Sequence, residues 1–220
     1  MKKIQLLTGC ALIFLSFSVF SQTSSLIDLH AAVKTGKIQV VNRELTLITE
    51  KSYSGISLSK DFGEGVAWLK DIEFSNGVLE FDVRGEDLKQ HSFVGIAFHG
   101  KDDSTFDAIY LRPFQFKAKD EILRNRSIQY ISLPHFTWQV LRELSPGKYE
   151  HSIDPAPEPN SWVKVRVIIS NSLISVYINN NLAPSLTVEK ATQINGGKLG
   201  FYVADTSGGD FANLTITKSN

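Results

Sequence analysis

The sequence contains a single cysteine, Cys10, among its 220 residues. Because Cys10 lies in an apolar N-terminal segment, the rest of the chain has no thiol for a disulfide, a catalytic thiolate or a cysteine-bound metal. The 23 basic residues balance the 23 acidic residues, so no net positive charge favours nucleic acid or an anionic membrane as a partner. After the N-terminal segment, no apolar run is long enough to span a bilayer.

The first 21 residues have the pattern of a secretory signal peptide. Two lysines precede a short apolar run, and Val19 and Ser21 occupy the small-residue positions of a cleavage site. We expect cleavage between Ser21 and Gln22, which predicts a secreted or periplasmic protein. In the alternative, the string Leu-Thr-Gly-Cys acts as a lipoprotein box and Cys10 carries a lipid.

Short strands dominate residues 22–220, which we expect to form one domain. About ten runs rich in Val, Ile, Phe and Tyr are separated by Gly, Asn and Asp, and only residues 137–147 show helical periodicity. This pattern predicts an all-β fold with little helix, in which two antiparallel sheets form a jelly-roll sandwich. Residues 117–161 contain five prolines and are expected to form long loops that carry function or cover an edge of the core.

The stretch from Val78 to Arg112 contains three strand-like runs, in which apolar residues alternate with polar or very small ones. Since strand side chains alternate between faces, each run is expected to bury one face and to display the other over a common groove. In the alternative, the small residues let a second sheet or a loop approach closely. The displayed set consists of Gly95, Ala97 and Ala108 as a floor, with Arg84, His99, Tyr110 and Arg112 around it, and Gln129 from the next strand.

Three parts of the chain resemble a known superfamily. They read FSNGVLEFDVRG (74–85), WVKVRVIISNSLISVYINN (162–180) and GGKLGFYVADTSGGDFANLTI (196–216). They are similar to the concanavalin A-like lectin/glucanase superfamily and, within it, to secreted bacterial domains of the 3-keto-disaccharide hydrolase type. The resemblance spans residues 36–217 and implies a jelly roll that acts on, or binds, an oligosaccharide or glycoside. A glycoside hydrolase, which includes a 3-keto-glycoside hydrolase, and a non-catalytic carbohydrate-binding module are both open.

Two carboxylates are the candidates for acid–base chemistry. Glu150 follows a turn in the irregular segment, and Asp107 opens the third of the strand-like runs. A pair of carboxylates that flanks the glycosidic bond is the usual arrangement for hydrolysis. The alternative is that the two are unrelated surface acids.

The substrate-binding candidates are residue types that supply planar hydrogen bonds or a flat apolar face, as sugar recognition requires. An alternative for Arg112 is a structural ion pair, and one for Trp138 is a plug at the end of the sandwich. The candidates are Arg84, His99, Tyr110, Arg112, Gln129 and Trp138.

The segment 101–107 reads KDDSTFD and is acidic enough to bind a structural calcium ion. It lacks the glycine and the closing glutamate of an EF-hand loop, so a solvated hairpin loop is the preferred interpretation. No pattern for a zinc site is present, and we expect no other cofactor.

Overall fold

The structure is a computed structural model that describes residues 23–219. The predicted signal peptide, its cleavage site and Cys10 lie outside the described residues. None of the helices within residues 23–219 is long and apolar enough to cross a membrane.

The described residues form strands and a few short helices. The strands are β1 (Ser24–Leu26), β2 (Ile38–Val41), β3 (Leu45–Glu50), β4 (Tyr53–Leu58), β5 (Gly65–Phe74), β6 (Gly77–Arg84), β7 (Val94–Gly100), β8 (Phe106–Leu111), β9 (Ile128–Leu133), β10 (Glu150–His151), β11 (Val163–Ser170), β12 (Leu173–Ile178), β13 (Leu186–Glu189), β14 (Gly197–Val203) and β15 (Gly209–Lys218). The helices are α1 (Leu29–Lys34), α2 (Glu121–Arg124), α3 (Trp138–Leu144) and a 3-10 helix (Pro113–Gln115).

The strands pair into two antiparallel sheets. Sheet A has eight strands in the order β13-β12-β11-β6-β15-β4-β3, with β1 beside β15, and sheet B has seven in the order β10-β9-β8-β7-β14-β5-β2. The strands β7, β8 and β9 are neighbours in sheet B, whereas the preceding strand β6 pairs with β11 and β15 in sheet A. The predicted all-β, two-sheet antiparallel sandwich with little helix is confirmed.

The core lies between the two sheets. Along β6 the inward residues Leu79, Phe81 and Val83 are buried, and the residues between them are partly exposed. The Phe81 ring lies edge-on to Phe201 of sheet B at a centroid distance of 6.1 Å, and Phe201 stacks on Phe211 of sheet A at 4.7 Å. The apolar face predicted for β6 is therefore confirmed.

Sheet B is buried on both faces near its centre. Every residue of β7 and β8 is buried, so these strands do not display a face to solvent as the alternation predicted. On the outer face, Trp68 and Tyr202 lie edge-on to Phe106 at centroid distances of 5.6 and 5.7 Å. The strand register places these rings on the same face as Ala97 and Ala108, so aromatic side chains occupy the predicted small-residue floor.

Gly95 was expected to leave space for a ligand, but the structure gives a different reason for a glycine at this position. A Cβ atom at this position would lie 2.0 Å from the carbonyl oxygen of Ile109 in the adjacent strand β8. The close approach is that of the adjacent strand in the same sheet, and not of a second sheet or a loop, and its backbone excludes a side chain at position 95.

Candidate functional site

A pocket with a volume of about 590 Å³ opens on the outer face of sheet B. Its base is formed by β8, β9 and β14, and its walls by α3, by residues 112–126 and by the loops before β7 and after β14. The lining side chains fall into three groups. They are the aromatic rings of Phe93, Tyr110, Phe114, Trp138 and Tyr202, the arginines Arg112, Arg126 and Arg142, and a polar end with Glu64, His91, Asp205 and Thr206.

Aromatic rings in mutual contact form one side of the pocket. Phe93 lies edge-on to Tyr110 at 6.0 Å and to Phe114 at 5.5 Å, and Tyr110 lies 5.9 Å from Tyr202. Such contacts hold rings in defined orientations. This side of the pocket is therefore a rigid, largely apolar surface.

Helix α3 positions Trp138 and Arg142 on the opposite wall. The Thr137 hydroxyl caps the helix by accepting from the amide nitrogen of Val140 at 3.4 Å, and Leu141 is buried beneath it. Trp138 and Arg142 are four residues apart and share a helix face, with the guanidinium carbon 4.6 Å from the indole ring centroid. Trp138 is 39% exposed, so its ring is accessible from the pocket and is not a buried plug.

Three arginines surround one carboxylate at the base of this wall. Arg142 donates from Nε to Oε1 of Glu150 at 2.9 Å and from Nη2 to Oε2 at 2.5 Å. Nε of Arg126 lies 3.6 Å from Oε1, and Nη1 of Arg112 lies 4.0 Å from Oε2. The Glu150 carboxylate is almost fully buried and engaged on both oxygens, so it holds the arginines in place. The general acid or base role predicted for Glu150 has no support in this geometry.

Arg112 is buried at the base of the pocket and connects the surrounding residues through hydrogen bonds. It is 4% exposed, and it donates to the Arg126 carbonyl oxygen at 2.8 Å, to the Tyr110 hydroxyl at 2.8 Å and to the Gln129 side-chain oxygen at 3.3 Å. Burial lowers the pKa of its guanidinium, and the nearby Glu150 carboxylate partly offsets this effect.

The Tyr110 hydroxyl is a candidate hydrogen-bond donor to a ligand. Burial raises the pKa of Tyr110 to about 12, so the phenol keeps its proton at neutral pH. The oxygen accepts from Arg112, and within residues 23–219 the hydroxyl proton has no acceptor. Tyr110 lines the pocket but is only 2% exposed, so a ligand must reach the base of the pocket to accept this proton.

Two acidic side chains, Glu64 and Asp205, lie at the other end of the pocket. The Tyr202 hydroxyl donates to the Glu64 carboxylate, and the amide nitrogen of Gly63 donates to Oδ1 of Asp205 at 3.0 Å. The surrounding protein atoms desolvate Glu64, which raises the pKa of its carboxyl group, and this effect exceeds the opposing effects of the Tyr202 hydrogen bond and the Arg43 charge. The pocket therefore has a basic end and an acidic end.

Arg43 links the two loops that carry these acids. Its guanidinium donates to the carbonyl oxygen of Gly63 at 2.7 Å and to that of Ser207 at 3.1 Å. Arg43 is itself nearly buried, so it fixes the spacing of the loops at the acidic end.

The prediction that Arg84 joins the pocket residues in one groove is wrong, because β6 belongs to sheet A. Arg84 donates from Nε to Asp210 at 2.9 Å and from Nη2 to Glu50 at 2.7 Å. Its guanidinium also lies 4.7 Å from the centroid of the Trp162 ring. Alternation along a strand shows which residues share a face, but it does not show which sheet the strand joins.

His99 and Asp107 form a separate network that is fully buried. The His99 ring places Nδ1 2.9 Å from Oδ2 of Asp107 and Nε2 2.7 Å from the Ser75 carbonyl oxygen, and the Tyr130 hydroxyl donates to Oδ1 of Asp107 at 2.9 Å. The ring is therefore hydrogen-bonded at both nitrogens, to a side chain on one side and to the backbone on the other. Neither residue lines the pocket, so the predicted catalytic pair of Asp107 and Glu150 does not form.

A local backbone conformation explains the misplacement of His99. Its φ of +56° lies in the left-handed region, which interrupts the alternation at the end of β7. The side chain that was expected on the displayed face is consequently enclosed with Asp107.

Three of the predicted substrate-binding residues line the pocket together, namely Tyr110, Arg112 and Trp138. Gln129 lies directly behind them and donates to the carbonyl oxygens of Tyr130 at 2.8 Å and Tyr149 at 3.0 Å. Gln129 was expected to join Tyr110 and Arg112 from the next strand. The two strands, β8 and β9, are neighbours, and Tyr110 lies opposite Gln129.

The sequence interpretation missed several lining residues. Arg142 could have been found from its position four residues after Trp138 on the predicted helix, because that spacing places both side chains on one face. Glu64 lies in a loop without periodicity, so no local pattern identifies it. The missed residues are Glu64, Phe93, Arg126, Arg142, Tyr202 and Asp205.

The carboxylates of the acidic loop 101–107 bind different partners. Asp102 accepts from the amide nitrogen and the hydroxyl of Ser104 at 2.8 and 2.9 Å, and Asp103 accepts from the Trp68 indole nitrogen at 2.8 Å. In the part of the chain that the structure describes, no three His, Cys, Asp or Glu residues are grouped in a way that could hold a metal ion.

No protein-family model matches the sequence, and no curated protein matches it. Solved structures do share its fold. A carbohydrate-binding module, CBM66 from Bacillus subtilis, superposes with a TM-score of 0.58 at 11% identity and covers 82% of this chain and 96% of its own. A native glycosidic hydrolase superposes with a TM-score of 0.58 at 8% identity, with 92% and 99% covered.

A third similar structure is the exoplasmic/lumenal domain of VIP36 in its Ca2+/Man-bound form, with a TM-score of 0.53 at 12% identity and 81% and 83% covered. At such identities the likeness establishes the fold alone. The chain therefore has the two-sheet antiparallel sandwich fold that these proteins share, which agrees with the fold that the sequence resemblance implied.

Proposed function

We propose that this protein binds a carbohydrate in the pocket on the outer face of sheet B. The observation that carries the proposal is the partly exposed Trp138 ring beside the Arg142 guanidinium inside that pocket. An indole ring packs against the apolar face of a sugar, and guanidinium and phenol groups bind its oxygens.

Two further observations support the proposal. A volume of about 590 Å³ falls within the range of roughly 300–1,000 Å³ that is usual for small-molecule sites. The solved structures with the same fold include a carbohydrate-binding module and a Man-bound domain. The predicted signal peptide is consistent with a protein that meets oligosaccharides outside the cytoplasm.

A glycan array followed by isothermal titration calorimetry tests the proposal. Trp138→Ala is expected to weaken binding by about tenfold or more, since it removes the stacking surface. Trp162→Ala is the matched control, because Trp162 stacks on Tyr53 of sheet A away from the pocket, and it should leave the affinity within about twofold. Equal losses for the two variants would place the binding surface elsewhere, and an array without any bound glycan would remove the proposal.

Hydrolysis of the bound glycoside is the second candidate function. It is favoured by the raised pKa of Glu64, since a raised pKa increases the fraction of the carboxyl group that carries a proton and can protonate a leaving oxygen. Asp205 lines the same pocket and is the candidate for the second carboxylate of such a reaction. If the wild type cleaves an array ligand, Glu64→Gln should abolish turnover and retain binding. An unchanged rate in this variant would exclude Glu64 as the acid.

A further inference from the structure

The basic end of the pocket has more positive than negative charge. The guanidinium groups of Arg112, Arg126 and Arg142 lie within 4.0 Å of one carboxylate, that of Glu150. The other two acids of the pocket, Glu64 and Asp205, belong to the loops at its far end. One carboxylate can neutralise only one of the three cations, so the basic end retains two positive charges.

The surplus charge is on the side of the cluster that faces the pocket. Arg112 is almost fully buried, whereas the side chains of Arg126 and Arg142 are 30% and 22% exposed and line the pocket. Among residues 23–219 the Arg126 guanidinium has no hydrogen-bond acceptor, and its contact with Glu150 is an ion pair at 3.6 Å. Arg142 uses Nε and Nη2 for Glu150, which leaves Nη1 for another partner.

The Arg142 guanidinium is held in place before any ligand arrives, and Arg126 is held through its backbone. Glu150 fixes Arg142 with two parallel hydrogen bonds, and the Trp138 ring lies against the face of the same group. The backbone of Arg126 is held by the hydrogen bond from Arg112 at 2.8 Å. Prior ordering of this kind reduces the entropy lost on binding.

We infer that the ligand is an acidic saccharide, with a sugar-ring carboxylate bound between Arg126 and Arg142 and the ring itself packed on Trp138. The inference rests on the proposed function and specifies its ligand class. A guanidinium fork matches a carboxylate with two parallel hydrogen bonds, and neutral hydroxyl groups alone would leave the surplus charge unpaired.

The test is an array that presents uronic-acid oligosaccharides, the methyl esters of the same oligosaccharides, sulfated oligosaccharides and neutral ones. The wild type should bind members with free carboxylates, and methyl esterification should weaken binding at least about tenfold. Arg126→Gln should cause a loss of the same size. Arg166→Gln is the matched control, because Arg166 lies over Tyr177 on sheet A and changes the net charge equally without touching the pocket.

The outcomes separate this inference from the proposed function. Equal binding of esterified or neutral glycans, or binding of sulfated glycans alone, overturns the inference and leaves carbohydrate binding intact. Equal losses for Arg126→Gln and Arg166→Gln also overturn it, since the effect would then be one of net charge. The absence of any bound glycan overturns the proposed function and this inference with it.

Discussion

Arg142 on α3 and Glu150 on β10 form a two-point ion pair at the base of the pocket, with donor–acceptor distances of 2.9 and 2.5 Å. The pair ties α3 of the pocket wall to β10 at the edge of sheet B. The sequence favoured Glu150 for acid–base chemistry. In the structure both of its carboxylate oxygens accept hydrogen bonds from Arg142, which is a structural role.

Removal of this carboxylate should destabilise the fold. Glu150→Gln leaves three arginines around a neutral, almost fully buried side chain, and we expect it to lower the free energy of unfolding by about 3 kcal/mol. Chemical denaturation measures the free energy of unfolding. The control is Glu143→Gln, on the exposed side of α3, which should change the free energy of unfolding by less than about 0.5 kcal/mol. A loss below about 1 kcal/mol for Glu150→Gln would mean that the ion pair does not anchor the helix.

Phe81→Ala should be a core deletion. The ring is 1% exposed and packs edge-on against Phe201 of the opposite sheet, so we expect a loss of about 3–5 kcal/mol in the free energy of unfolding. Urea denaturation at constant pH gives the value. A loss under about 1 kcal/mol would show that the inward face of β6 has been assigned wrongly.

His99 should contribute to stability and leave ligand binding unchanged. The His99 ring and the Asp107 carboxyl group are both fully buried and hydrogen-bonded to each other, so His99→Ala leaves a cavity and a buried oxygen of Asp107 without its partner. We expect a loss of about 3 kcal/mol in the free energy of unfolding, against less than about 0.5 kcal/mol for the exposed His135→Ala. Ligand affinity that drops in a folded His99→Ala variant would contradict the separation of this network from the pocket.

Glu64 should make stability depend on pH. Its folded-state pKa is raised above the ordinary value of 4.5, chiefly by desolvation, so its contribution is fully present below pH 4.5 and is lost as pH rises through the folded-state pKa. We expect the unfolding free energy of the wild type, minus that of Glu64→Gln, to fall from acidic to neutral pH. Thermal denaturation across this range measures the difference. A difference that stays constant or grows would contradict the raised pKa.

The sequence predicted the architecture well because the fold depends on patterns that recur along the chain. The alternation through Leu79, Phe81 and Val83 identified a half-buried strand. Runs of β-branched and aromatic residues with Gly and Asn turns specify a sandwich through many weak signals. An error in any one of them does not change the fold class.

The site could be predicted only in part, because it depends on which strands and loops meet in space. Tyr110 and Arg112 were found because they share a strand face, and Trp138 because an aromatic ring in an irregular segment is unusual. Arg84 was misplaced because its strand joins sheet A, and His99 because its φ is positive. Glu64 and Asp205 come together through loops far apart in sequence, for which no spacing rule exists.

The most direct test of carbohydrate binding in this pocket is amide NMR mapping with a glycan that the array identifies. The account predicts that the largest chemical-shift changes fall on residues that line the pocket, namely His91, Phe93, Leu123, Arg126, Trp138, Gln139, Arg142, Ala204, Asp205 and Thr206. Changes confined to sheet A, around the second cavity lined by Lys60, Glu86 and Asn160, would contradict it.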